Sequence, residues 1–396
     1  MSLLTIQDPA GVPDTGPRHA LFALGFRPFY LLAAAFAGVS IPLWLASYYG
    51  WSAFPHVALA WHVHEMVFGF VIAVVIGFLY TAGRNWTGLW TPRGKALAAL
   101  AVLWIAGRAA MLFAPPVLAA LIDFAFLPAA AWPLYRVLKR SGNKRNMVLV
   151  GLLALLTLAN GVFHAAALGV LPVSPLQPVY AAIMVIVIIE AVIGGRVIPN
   201  FTANAVKGSN PVQNAKRDRI SMAFTAAAAI AWVAGFPAPA TAALAIAAAV
   251  AQATRLIGWK PLCTLRNPLL WILHLSYAWI PLGFVMLALS QLGVVPQSAA
   301  VHLLAVGAIA GLILGMITRT ALGHTGRMLK AGPAETAMYV LIQCGVALRL
   351  VAAMASGELR DVALLSAAGC WSAAFAVYVL TYAPYLFRPR VDGKEG

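Results

Sequence analysis

Residues 61–88 read WHVHEMVFGFVIAVVIGFLYTAGRNWTG, and from Met66 to Gly83 no side chain is charged. A run of that length approaches the roughly 20 residues an α-helix needs to cross a hydrocarbon core of about 30 Å. Three ionisable groups, His62, His64 and Glu65, stand at one end and Arg84 at the other. The stretch reads as a membrane-spanning helix with polar chemistry in one half, since a barrel strand would be shorter and alternate in polarity.

The same pattern repeats along the chain. The composition is 62% hydrophobic and only 10% charged, with mean hydropathy +0.87, which excludes an ordinary soluble domain. Apolar runs fall at 28–48, 57–82, 96–114, 117–137, 147–170 and 177–194, then at 220–235, 238–257, 268–290, 299–318, 334–355 and 362–386. The expected architecture is an all-α polytopic membrane protein, a single bundle of about 12 transmembrane helices. A membrane domain over 28–386 would be flanked by an N-terminal segment 1–27 and a tail 387–396, with a central loop at 195–219. The polar start through Arg18 leads into a full-length apolar run, so no cleavable signal peptide is expected.

A net charge of +16 raises the question of nucleic acid, and its distribution answers it. Every second connection is basic: Arg84, Arg93 and Lys95; Lys139, Arg140, Lys144 and Arg145; Arg196, Lys207, Lys216, Arg217 and Arg219; Lys260 and Arg266; Arg319, Arg327 and Lys330; then Arg388, Arg390 and Lys394 in the tail. The alternate connections hold only Arg360. This is the positive-inside pattern; it places both termini in the cytoplasm and makes lipid, not nucleic acid, the partner of the charge. Cys263, Cys344 and Cys370 show no CxxC spacing, so neither a disulfide framework nor a thiolate site is expected.

Histidine within hydrocarbon is costly unless partnered, and five of the eight lie in spans: His62, His64, His164, His274 and His302. Each alone could be a packed, hydrogen-bonded residue. Together they suit a metal or haem site, for which imidazole is a common ligand. With the second and tenth runs starting at the outer face and the fifth ending there, a rise of about 1.5 Å per residue puts His62, His64, His164 and His302 roughly 5–11 Å below that face. They can share one layer. His274 lies about 10 Å above the cytoplasmic edge, at reachable depth from His324, so these two could form an inner site.

Other polar groups qualify as helpers. Glu65, three residues after His62, could orient that ring, bind metal, pass protons, or sit as a neutral carboxyl. Asn160, four before His164, could bond to it or pack between helices. Glu190, read as about a turn from the cytoplasmic end of the sixth run, could carry protons or pair with an arginine. Arg108 and Asp123 stand seven residues either side of Pro115-Pro116 and read as a structural ion pair. Arg27, Arg84, Arg196, Arg319 and Arg327 could receive haem propionates or simply anchor the topology. His19 and His56 receive no role.

The quoted stretch, with ALGFRPFYLLAAAFAG (23–38), GGRVIPNFTANAV (194–206), WILHLSYAWIPLGF (271–284) and HLLAVGAIAGLILGMITRTALGHTGR (302–327), resembles the NnrS family. Tyr30 and Ser276 depart from the usual family wording at positions read as packing. The resemblance implies a bacterial inner-membrane protein that contains haem and copper and is connected with nitric-oxide metabolism and nitrosative stress. It makes His62, His64, His274, His302 and His324 candidate ligands without dividing them between metals, whereas His164 rests on depth. Nitric oxide or a related small nitrogen oxide is the implied partner. Whether the protein is an oxidoreductase stays open, because no electron-donor site can be read. The His-x-His pair and the twelve helices also resemble the catalytic subunit of haem-copper oxidases, although the sixth and seventh runs carry no histidine.

The rival class is a proton-coupled secondary transporter using the intramembrane His, Glu and Arg residues. Six runs on either side of a basic loop fit it, but the two halves show no persuasive similarity, and the AGRNWTGLWTPRGK loop lacks the acidic residue such transporters usually carry there.

Overall fold

The computed structural model describes residues 20–51, 54 and 56–396. His19 and most of the N-terminal segment lie outside them. Among the described residues the apolar runs form twelve long helices: α1 Phe26–Tyr48, α2 Leu59–Thr87, α3 Lys95–Phe113, α4 Pro116–Arg140, α5 Lys144–Ala167 and α6 Leu176–Ala205 make the first six. The rest are α7 Ala215–Val233, α8 Ala238–Gly258, α9 Pro268–Gln291, α10 Gln297–His324, α11 Pro333–Met354 and α12 Gly357–Phe387. Eleven are long and apolar enough to cross a membrane. The twelfth, α7, begins with Lys216, Arg217, Asp218 and Arg219, which shortens its apolar part. The chain is thus a multi-pass membrane protein.

The expected loop at 195–219 is largely helix. α6 continues through GGRVIPNFTANA to Ala205 and α7 starts at Ala215, capped by Asn214 Oδ1 on the Lys216 and Arg217 amides, leaving 206–214 as connection. Hydropathy ended the sixth run at its first polar residues, but a helix continues wherever its backbone bonds are made. Glu190 therefore sits in mid-helix, not near an end.

The helices assemble in three groups of four. α5 packs on α4, α9 on α8, and α12 returns to α1. The second helix of each group, α2, α6 and α10, faces inward, and α2 and α10 are the most deeply buried of all.

Internal similarity, invisible between halves, lies between the first and third groups. One constant separation relates Val63-His64 to Val301-His302, Gly69 to Gly307, Gly77 to Gly315, Thr87-Gly88 to Thr325-Gly326, Gly107 to Gly345, and Asp123 to Asp361. The glycines do the same work twice. A Cβ on Gly77 would press on Phe29 and Tyr30 of α1, and one on Gly315 on Ile272 and Leu273 of α9. Directly after the matched histidines, both helices widen into π-helical stretches, Glu65–Val71 and Leu303–Ala310. Such segments are rare and often mark functional sites.

Candidate functional site

The two matched histidines build two different sites. The first is polar and lies between α2, α3, α4 and α5. His64 places Nδ1 2.9 Å from Glu65 Oε1, and its Nε2 3.0 Å from Asn160 Oδ1 and 3.2 Å from Asp123 Oδ2. Asn160 Nδ2 donates to Asp123 Oδ2 at 2.9 Å, which fixes its amide with the oxygen toward His64. His164 Nε2 lies 2.8 Å from the same Asp123 oxygen. Arg108 closes the cluster, donating to both Glu65 oxygens at 2.7 and 2.6 Å and to Asp123 Oδ1.

All six residues are buried, yet every charge has an opposite partner, the condition under which a buried ionic cluster persists. Both His64 nitrogens face oxygen acceptors, so the Nε2 side calls for a cation, either a proton or a metal ion. His64, Asp123 and His164 offer two imidazole nitrogens and a carboxylate oxygen within 4.8 Å of one another. Nitrogen and oxygen donors of this kind suit borderline metals such as copper or zinc.

This arrangement alters several expectations. Arg108 and Asp123 do pair, but as two members of a six-residue network. Asp123, read only as structural, is its central acceptor. Glu65 serves His64 and Arg108, not His62, whose ring stacks on Trp44 instead. Asn160 bonds to Asp123 and His64, not His164.

The second site is a mainly apolar cavity of about 300 Å³ on the axis between α2, α6 and α10, walled also by α1, α11 and α12. His62 and His302 both line it. His302 Nδ1 donates to the Ser298 carbonyl at 2.7 Å, which leaves Nε2 as the lone-pair nitrogen. A second-site hydrogen bond of this kind commonly orients a metal-binding imidazole. His62 stacks on Trp44 with centroids 4.0 Å apart, and its Nδ1 makes no hydrogen bond. Arg349 lines the same cavity, and among the described residues no carboxylate lies within ion-pair distance of it. The four outer histidines therefore divide into two pairs, His64 with His164 and His62 with His302. Arg349 and Trp44 escaped the sequence reading, although an arginine inside the eleventh run, ALRLVAAM, was a visible signal.

Below this cavity, toward the basic loops, lies a second of about 80 Å³ on the same axis, lined by Glu190 among apolar side chains. Glu190 Oε2 makes no hydrogen bond, and no arginine pairs with it among the described residues. Further down, His274 Nε2 meets Thr202 Oγ1 at 2.9 Å while its Nδ1 has no partner. His324 packs against Phe26, and His274 and His324 share no hydrogen bond or ring contact among the described residues.

The arginines at the basic end are largely engaged. Arg27 donates to the carbonyls of Leu386 and Arg388 at 2.9 and 2.8 Å. Arg196 donates to Asn146 at 2.9 Å, and Arg84 donates to the Gly88 carbonyl and covers Trp90. Arg319 lies over Phe201 and Arg327 over Tyr385. His56 is exposed in a turn.

No curated protein matches the chain. The family model described as NnrS protein matches residues 20–390, nearly the whole length and every element of both sites. The chain belongs to the NnrS family.

Proposed function

We propose that this is a haem- and copper-containing protein of the bacterial inner membrane, both termini cytoplasmic, that acts in nitric-oxide metabolism or relieves nitrosative stress. The observation that carries this reading is the axial cavity. Two imidazoles and an unneutralised guanidinium face about 300 Å³ of mainly apolar space, within the range of small-molecule pockets, about 300–1,000 Å³. That chemistry suits haem: His302 or His62 would hold it through an imidazole nitrogen, and Arg349 would take an acidic substituent. Copper would sit with His64, Asp123 and His164, where the donor set is already assembled.

When bound, haem iron and copper supply ligand binding and one-electron chemistry that side chains lack. The chain's own contribution is to hold and orient. Ser298 fixes the His302 tautomer, Trp44 fixes the His62 plane, and Asn160 sets the Asp123 oxygen between two imidazoles. The cavity's lining is mainly apolar, and nitric oxide, small and uncharged, can reach it through the lipid.

The test is the absorption spectrum and metal content of detergent-purified protein made with ample haem and copper, before and after nitric oxide. A haem band that shifts on nitric oxide and is lost in His302→Ala is expected, with copper lost in His164→Ala. Protein without haem or copper would overturn the proposal and leave the proton-coupled transporter as the better account.

A further inference from the structure

We propose that Glu190 is the proton carrier that connects the basic end of the bundle to the histidine-lined cavity. The proposal rests on the reading of that cavity as the haem site.

Its basis is the position of one acid. Glu190 lies in mid-α6, half-buried in the wall of the lower cavity, with Oε2 shielded and making no hydrogen bond. The buried carboxyls among the described residues are all held: Glu65 and Asp123 by Arg108 and histidines, and Glu335 of α11 by Tyr382 at 2.7 Å and by the Gly332 amide. A lone carboxylate among apolar walls would cost several kcal/mol, so a purely structural acid here has no compensation. An acid that charges only in passing is the arrangement a relay needs.

The two cavities supply the route. Val71 lines both, so Glu190 faces a space that abuts the one holding His62 and His302. Ile183, which lines the upper cavity from the same helix, is about 10 Å from Glu190 at 1.5 Å per residue. That exceeds the reach of one side chain. The lower cavity of about 80 Å³ exceeds the space of one water, so water entering transiently beside the Glu190 carboxyl would complete the path. Toward the basic end, Ile198 and Leu273 of its wall adjoin the Thr202–His274 pair, whose free Nδ1 is the next proton-accepting atom on the axis.

The titratable groups around Glu190 are few. Tyr30 of α1 lines the same cavity. Tyr277 of α9 packs on Gly194, but its hydroxyl is taken by Arg255 and Gln252, and Arg255 is itself paired with Asp218. Neither tyrosine offers Glu190 a counter-charge.

The experiment is an optically monitored redox titration of the purified holoprotein at several pH values, with infrared spectra in H₂O and D₂O. In the wild type the midpoint potential should fall as pH rises, and a protonated-carboxyl band should exchange in D₂O. Glu190→Gln should keep the haem content and spectrum, abolish the pH dependence and remove the band; Glu190→Asp should retain both. Val71→Phe, which plugs the junction and leaves the acid in place, should keep the band and slow the proton-coupled phase of reduction at least tenfold. A pH-dependent potential that survives in Glu190→Gln, or a wild type with none, would overturn the proposal. Absence of haem would sink the functional reading alone. The infrared arm then decides by itself, with rapid exchange of a Glu190 band supporting conduction and a band that resists exchange refuting it.

Discussion

His64 and His302 occupy matched positions, each opening a π-helical segment, yet their surroundings are opposite. Around His64, two carboxylates, an arginine, an amide and a second imidazole satisfy one another. Around His302 one nitrogen is tied to a carbonyl, and among the described residues the neighbouring His62 and Arg349 pair with no carboxylate. A duplicated scaffold has been put to two uses, one a compact polar cluster with room for no more than a single cation among its own donors and one a cavity that can take a larger group. Polar groups that satisfy each other hold helices together, and polar groups left facing a cavity are available for binding.

The largest effect that sharpens this contrast is at Asp123. Asp123→Ala leaves Arg108 only Glu65 as a partner and strips His164 of its acceptor, so a loss of about 3–5 kcal/mol is expected, read as a lower unfolding midpoint in detergent. If Asp123→Ala proved as stable as wild type, the mutual support of the cluster's members would be disproved. Next comes His302→Ala, which removes one carbonyl hydrogen bond and should cost only about 1 kcal/mol of stability, while abolishing whatever spectral feature the cavity's occupant contributes. Equal destabilisation by the two substitutions would erase the distinction.

A smaller, purely chemical difference is expected for copper. Titration of metal-depleted protein should show at least tenfold weaker copper binding in His164→Ala than in wild type, with unchanged binding in His62→Ala, because the two pairs share no ligand. Identical losses would mean that the four histidines serve one centre after all. The smallest effect is at Trp44→Leu. It removes the ring stacked on His62 and should shift the cavity's absorption band and weaken occupancy a few-fold without altering copper content, measurable by the same spectra.

The architecture was legible because hydropathy and loop charge act over whole helices, and all twelve runs became helices. Relative depth was legible too, since it follows from rise per residue and put His62, His64, His164 and His302 at levels where the structure brings them together in pairs. Rotation was legible only in part. Two residues of α-helix turn a side chain by about 200°, so the sequence already let His62 and His64 face different neighbours, but i,i+3 spacing assigned Glu65 to His62 when its carboxylate turns to His64 and Arg108. Which helices meet is a tertiary fact, and the roles of Asp123 and Arg349 depend on it. Glu190 shows the same limit from the other side: its residue type was informative, but its isolation on the axis needed the positions of α2, α9 and α10.

Arg27 carries a consequence for how the protein is made. It lies in α1, and the carbonyls that satisfy it, Leu386 and Arg388, are at the end of α12, made after ten others. During synthesis a guanidinium must therefore wait through ten intervening helices for its acceptors. Insertion and assembly are thereby ordered in time: α1 cannot settle as it stands here until α12 arrives, and the ring closes as the final event. Chains interrupted before α12 would present an unsatisfied cation at a helix end, a mark by which membrane quality control can tell an unfinished bundle from a finished one.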